Sequence, residues 1–214
     1  IEALSAIPGT VGAAPVQNVG AYGQEIVQVL DSVLAYDLKE EKYVTIKKED
    51  MKLGYRSSIF NHGEDAGRYL IISMTIHLSH DTLTPPFYTS LQNYVEEHQI
   101  TDFSPKSIRE MVTEIRWSKL PKPEEMASSG SFFKNVYLDD AEADRLRGMN
   151  VPVWEGNKVP SGWLIDHAGL KGMVFHGMRV SEKAALILIN ESAQSYAHLK
   201  QAREEIVSII EKKY

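Results

Sequence analysis

Residues 3–24 run for 22 positions without a charge. That length would suit a membrane-spanning helix. The content forbids one: Pro8, Gly9, Gly12, Pro15, Gly20 and Gly23 break any helical run, and Gln17 and Asn18 add amides to it. What remains is a glycine-rich loop. Its glycines permit tight curvature and leave backbone N–H groups able to face an anion, with Thr10 adding a hydroxyl. Two readings stay open on the residues alone: a cradle for a pyrophosphate, or a glycine-rich loop with no ligand.

The rest of the chain narrows the class. Its 214 residues, 43% hydrophobic and 24% charged, are an ordinary globular mix and enough to bury a core. With 23 Lys plus Arg against 29 Asp plus Glu, the net charge is −6. Such a chain is a poor partner for a nucleic-acid backbone or an anionic membrane, so an anionic ligand must be held by local charge or backbone amides. The absence of cysteine removes disulfides, thiolate metal sites and a cysteine nucleophile. The chain starts at Ile1 without a basic leader and stops at Lys213-Tyr214, so both ends are expected to be cut points.

Residues 26–37 and 43–46, joined by the polar Lys39-Glu40-Glu41, read as a hairpin with Val33 and Ala35 on one face. Residues 69–78 form the strongest strand, its first half continuously apolar as if buried on both faces. A helix is expected near 90–98. A better-marked one follows Ser104-Pro105, with Ile108, Met111, Val112 and Ile115 at helical spacing. Pro121-Lys122-Pro123 marks a domain boundary, giving domains over residues 1–120 and 121–214. Beyond it, 131–138 reads as strand, 139–149 as a helix with acids in its first turn, 161–168 as a helix ended by Gly169, 185–189 as strand and 195–213 as a long amphipathic helix. The mixture without a βαβ rhythm is α+β.

No dinucleotide fingerprint, phosphate-binding loop or hydrolase elbow is present. His77 and His80 read as ordinary histidines, and the acids at Asp139, Asp140, Glu142 and Asp144 as a helix start; no metal site is expected. Three segments carry chemistry. The first is the glycine-rich loop. The second, Gly54-Tyr55-Arg56-Ser57-Ser58-Ile59-Phe60, sets an arginine among aromatics on a glycine-initiated turn, suited either to grip a carboxylate or to serve structure. The third joins Trp117-Ser118-Lys119-Leu120-Pro121 to Ser128-Ser129-Gly130-Ser131-Phe132-Phe133-Lys134-Asn135. In a continuous strand Ser131 would share a face with Phe133 and Asn135.

Taken in order with Gly162-Trp-Leu-Ile-Asp166, Gly169-Leu-Lys-Gly172 and Leu188-Ile-Asn-Glu191, these segments resemble the UDP-N-acetylenolpyruvoylglucosamine reductases across nearly the whole chain. The resemblance implies the second half of a vanillyl-alcohol-oxidase-type FAD-binding domain over 1–120 and an α+β substrate-binding domain over 121–214. The first half of the flavin domain and a terminal glutamate segment would lie outside the sequence, so that this stretch alone is expected neither to retain FAD nor to be active. It implies cofactor contacts from Thr10, Gly12, Gln17, Asn18, Gly20 and Tyr22, a substrate-carboxylate role for Arg56, proton donation by Ser131, and contacts to the UDP-sugar enolpyruvyl ether from Tyr88, Lys119 and Asn135. It further implies reduction of FAD by NADPH, then hydride transfer to the enol ether, in a monomeric cytoplasmic enzyme of peptidoglycan precursor synthesis. Departures are small: Ala13 where a second glycine is usual, Val136 where proline follows the asparagine, and Ser128-Ser129 in place of a commoner pair. Another FAD-dependent oxidoreductase and a non-catalytic nucleotide-sugar-binding module are the alternatives.

Overall fold

The structure, a computed structural model, describes residues 1–122 and 124–214; Pro123, in the expected boundary, lies outside the described residues. The fold is α+β. The chain separates into two compact units, Ile1–Arg116 and Trp117–Tyr214.

In the first unit, short strands β1 (Gly20–Ala21) and β2 (Gln24–Glu25) pair antiparallel, with Gly20 opposite Glu25. Strands β3 (Leu30–Asp37), β4 (Lys42–Lys47) and β5 (Tyr69–Ile76) form a three-stranded antiparallel sheet in the order β4-β3-β5. The hairpin read from sequence is therefore present. Its first strand starts later than expected because Ile26–Gln28 coil into a 3₁₀ turn. The cause is local: Glu25 and Gln28 exchange side-chain and backbone hydrogen bonds in a capping box, and the Val27 amide donates to Asn18 Oδ1 at 3.1 Å. Ile26, Leu30, Val33, Ala35, Ile46, Met51 and Phe60 make the core beneath the sheet.

The strand at 69–76 departs from the expectation of burial on both faces. Leu70 and Ile72 are 54% and 57% exposed, whereas Ile71, Met74 and Ile76 pack on the core. β5 pairs with β3 alone, and the sheet has a core on one side only. A bulge adds to this: Leu34 faces Ser73 and Ala35 faces Ile71, so Ile72 is the extra residue. Continuous apolar sequence here marks a bulged strand with an apolar outer face, not a central one.

Helix α1 (Thr89–Glu97) and helix α2 (Pro105–Lys119), the latter as far as Arg116, close the first unit. The Ser104 hydroxyl accepts from the Ser107 amide at 3.3 Å, and Ile108, Met111, Val112 and Ile115 are buried as their spacing predicts. They pack with Leu91 and Val95 of α1.

The second unit contains β6 (Ala127–Ser131), β7 (Val136–Tyr137), α3 (Asp140–Gly148), β8 (Lys158–Val159), α4 (Ser161–His167), β9 (Val174–Phe175), β10 (Met178–Val180), β11 (Ile187–Asn190) and α5 (Tyr196–Lys213). Its main sheet runs β6-β11-β10-β9, all antiparallel, while β7 and β8 pair apart from it. Phe175, Met178, Val180 and Leu188 meet Ala202 and Ile206 of α5 in the core. Asp139 caps α3 by accepting from the Glu142 amide at 2.9 Å, so the acids at its start serve the helix. Gly169, at φ +77°, ends α4 as expected. The strand expected over 131–138 is broken. β6 stops at Ser131, and Phe132 donates its amide to the Leu186 carbonyl at 2.7 Å.

The end of the central strand β3 is closed by Asp37, 2% exposed, which accepts from Arg68 Nε at 2.9 Å and Nη2 at 2.6 Å and from the Lys39 and Glu40 amides. These bonds, those from the Arg68 guanidinium foremost, hold the Asp37 carboxyl well below the usual carboxylate range. A carboxylate with a lowered folded-state pKa stabilises above its unfolded value of about 3.9, and loses that contribution as pH falls through the folded value. Thermal melts below pH 4 are therefore expected to drop more steeply for the wild type than for Asp37→Asn. Equal slopes would show that the pair does not set acid stability.

Candidate functional site

The glycine-rich loop is ordered by Asn18. Its side chain is 1% exposed and its backbone is left-handed, at φ +44°. Nδ2 donates to Glu25 Oε2 and to the Gly54 carbonyl, both at 3.1 Å, and Oδ1 accepts from Val27. The amide is thus committed within the protein, and it ties the loop to the Arg56 turn. Truncating it would strand buried partners at about 1–3 kcal/mol each.

Arg56 completes the link. Its backbone is left-handed, at φ +52°, within the turn closed by the bridge between Gly54 and Ser57. Nη2 donates to the Gly20 carbonyl at 2.6 Å and Nη1 to the Asn18 carbonyl at 3.3 Å, while Glu25 Oε1 stands 3.7 Å from Nη1. The guanidinium lies 5.2 Å from the Tyr55 ring centroid. The Arg56 and Glu25 side chains are 26% and 37% exposed, so this pair adds at most about 1 kcal/mol to stability. Its effect is on direction: neutral carbonyls and a nearby carboxylate fix a planar fork.

Thr10 and Gln17 are exposed beside Gly12 and line a cleft of ≈610 Å³ whose other walls include Ile7, Val11, Val19 and Met74. Lys106 and Arg109, from the first turns of α2, also line it. No local pattern ties 106–109 to residue 10, so these two cations were not legible from sequence. A β-carbon placed at Gly12 would meet its nearest neighbour, the Ile71 carbonyl, at 3.5 Å, an ordinary contact. The packing of this protein does not demand glycine there. An apolar-walled cleft with a hydroxyl, an amide and two cations fits a phosphate-bearing ring cofactor such as FAD.

Tyr22 and Tyr88, both singled out from sequence, meet. Their rings stand edge-on with centroids 6.1 Å apart, Tyr88 being 56% exposed. The Arg116 guanidinium is 5.7 Å from the Tyr22 centroid and donates Nε to the Ser5 carbonyl at 3.1 Å. Burial pushes the Tyr22 phenol above its ordinary value, with Arg116 opposing. Arg116, itself buried, was missed in sequence, although it sits four residues after Val112 on the apolar stripe.

In the second unit, Lys119, Leu120 and Pro121 share a cleft of ≈300 Å³ with Arg179 and Glu191, which are ion-paired. Two of the segments singled out from sequence, 119–121 and 188–191, thus meet. Ser131 is exposed at the end of β6, opposite Ile187 at a register shift. It does not share a strand face with Asn135, because the strand has ended. Asn135 Oδ1 instead accepts from the Ser161 amide at 3.2 Å, at the start of α4, and the Ser161 hydroxyl donates to the Lys134 carbonyl at 2.6 Å. Phe132 and Phe133, edge-on at 5.1 Å, pack against the core between the two polar residues. His77 and His80 are exposed, and no group of three metal-ligating side chains occurs among the described residues. No described helix is long and apolar enough to cross a membrane.

Residues 122–214 match the family model described as UDP-N-acetylenolpyruvoylglucosamine reductase, C-terminal domain. Proteins named UDP-N-acetylenolpyruvoylglucosamine reductase are similar over nearly the whole chain. The one from Neisseria gonorrhoeae is 38% identical across 96% of this chain and 61% of its own length. The one from Pseudomonas aeruginosa is 34% identical across 100% of this chain and 64% of its own. The chain is similar to the UDP-N-acetylenolpyruvoylglucosamine reductases, and its residues 122–214 match their C-terminal domain. It spans about three fifths of the length of these relatives. The crystal structure of UDP-N-acetylenolpyruvylglucosamine reductase (MurB) from Thermus caldophilus is 18% identical and matches with a TM-score of 0.60 over 96% of this chain and 58% of that one, a likeness of fold.

Two glycines of the glycine-rich loop make opposite demands. A β-carbon at Gly20 would lie 2.7 Å from Glu25 Cγ and 3.0 Å from Arg56 Nη1. Gly20→Ala is therefore expected to destabilise the protein by about 1–3 kcal/mol through overpacking, whereas Gly12→Ala leaves the melting temperature unchanged. Thermal unfolding of both variants checks this, and a Gly20→Ala protein as stable as wild type would contradict it.

Proposed function

We propose that the protein carrying this chain reduces UDP-N-acetylglucosamine enolpyruvate to UDP-N-acetylmuramate with NADPH, using FAD. The observation that carries the proposal is Arg56, its fork aimed by the carbonyls of Asn18 and Gly20 inside a glycine-rich loop. The names of the relatives support the same activity.

The FAD, when bound, supplies the hydride; Thr10, Gln17, Lys106 and Arg109 would hold it in the cleft that they line. Asn18 and Gly20 act one step back, by shaping that loop and seating Arg56. As hydride reaches the terminal carbon of the enol ether, negative charge grows on the neighbouring carbon and its carboxylate. Arg56 meets that charge with a fixed guanidinium, which needs no reorganisation at the moment of reaction. Ser131 donates the proton to that carbon; a serine hydroxyl is a weak acid, so its effect rests on position and on a strongly basic partner. Lys119 supplies positive charge for the diphosphate in the cleft that it shares with Glu191 and Arg179. Tyr88 closes over the nucleotide, guided by its contact with Tyr22. Asn135, whose Oδ1 holds the Ser161 amide at the start of α4, contacts the UDP portion of the substrate.

In the intact protein, Ser131→Ala is expected to slow the substrate-reducing half-reaction about 10²-fold, the scale for losing a positioned proton donor, with nicotinamide oxidation unchanged; Ser131→Cys recovers part of the loss. Stopped-flow measurement of each half-reaction separates them, and a wild-type rate in the alanine variant sinks the assignment. Lys119→Ala is expected to raise KM for the UDP substrate and leave kcat near normal. A collapse of kcat at constant KM would move Lys119 from binding to chemistry.

A further inference from the structure

We infer that Glu25 is a positioning residue that holds Arg56 in register for the substrate carboxylate, an inference that rests on the proposed reductase activity. Glu25 is anchored from several sides. Its carboxylate accepts from Asn18 Nδ2 at 3.1 Å and from the Gln28 backbone amide, and its own amide donates to Gln28 Oε1 at 3.1 Å. Strand pairing places it directly opposite Gly20, the residue whose carbonyl receives Arg56 Nη2. The space above Gly20 is filled by Glu25 Cγ and Arg56 Nη1, so the two side chains lie against the same hydrogen-only position.

The distances divide the work. The Glu25 carboxylate is close to Arg56 Nη1, at 3.7 Å, without the short contact of a bidentate pair. It attracts the guanidinium toward the Gly20 side without capturing it. A carboxylate so placed has two opposed effects on an incoming anionic substrate. It repels the substrate's own carboxylate in the ground state, and it holds the fork aligned for the charge that grows later. Removing its charge should therefore lower kcat while leaving KM equal or lower. A residue needed only for folding would instead lower the melting temperature and the fraction of active enzyme, with the kcat of the folded fraction unchanged.

Glu25→Gln in the intact protein tests this, because glutamine keeps an acceptor for Asn18 and Gln28. The expected result is a kcat for the UDP-enolpyruvyl substrate reduced about tenfold, KM unchanged or lower, and an unaltered melting temperature. In an Arg56→Lys background, where the planar fork is already gone, the same change should cost less than twofold, the non-additivity expected of coupled residues. A Glu25→Gln kcat within twofold of wild type, or full additivity with Arg56→Lys, overturns the inference. If the glutamine variant does not fold, Glu25→Asp decides, since it keeps the charge but withdraws it by one methylene: a threefold or greater fall in kcat supports the positioning role, and wild-type kcat overturns it. Absence of any turnover by the wild-type protein would instead remove the activity on which the inference rests.

Discussion

One buried amide organises the first unit. Asn18 sits in a left-handed conformation, reaches Glu25 and Gly54 with its nitrogen, and receives Val27 on its oxygen. Asparagine is among the few non-glycine residues that accept this backbone geometry readily, and its amide offers donors and an acceptor together. Three segments distant in sequence are thereby brought within one hydrogen bond of each other: the glycine-rich loop, the 3₁₀ turn after β2, and the turn that presents Arg56. An unsatisfied group in this dry position would be costly, so the network holds all of its members or loses its shape.

That network explains both what the sequence revealed about the candidate site and what it hid. The importance of residues 7–23 was legible, because an uncharged run too rich in Gly and Pro for a helix must be an ordered loop. The division of labour inside it was not. Asn18 and Thr10 look equally suited to touch a ligand, yet Asn18 is buried and committed to its own chain while Thr10 lies on the wall of a cleft. Gly12 and Gly20 look alike, yet only Gly20 faces atoms that exclude a methyl group. Such differences arise from contacts between segments some 35 residues apart, such as Asn18 with Gly54, which no local pattern encodes.

The fold was read with similar unevenness. Helical periodicity identified the buried residues of α2 because that helix packs one stripe against one core. Strand reading failed where backbone irregularity intervened. The apolar run at 70–72 suggested a doubly buried strand, but a bulge at Ile72 and a sheet covered on one side leave Leu70 and Ile72 exposed. Alternation beyond Ser131 suggested a shared face with Asn135, but β6 ends at Ser131, its last ladder bond running from the Phe132 amide to the Leu186 carbonyl, and β7 begins only at Val136. In both places the residue types favour strand, and a single backbone departure redirects the side chains that matter.

The arginines show how an acidic chain keeps positive charge where chemistry can use it. Arg68 donates two bonds to the buried carboxylate of Asp37, which cancels its charge in favour of the end of the central strand. Arg116 is carried into the interior against a carbonyl and an aromatic ring, where burial disfavours its charged form. Arg56 donates to two neutral carbonyls, with the Glu25 carboxylate held farther off than Asp37 is from Arg68. Carbonyl oxygens orient a guanidinium without adding a formal charge of their own, so they fix its position and direction. In a protein of net charge −6, long-range attraction for an anion is weak. Recognition then depends on a few cations whose direction is fixed in advance, and Arg56 is the one among these three that the carbonyls of the glycine-rich loop orient.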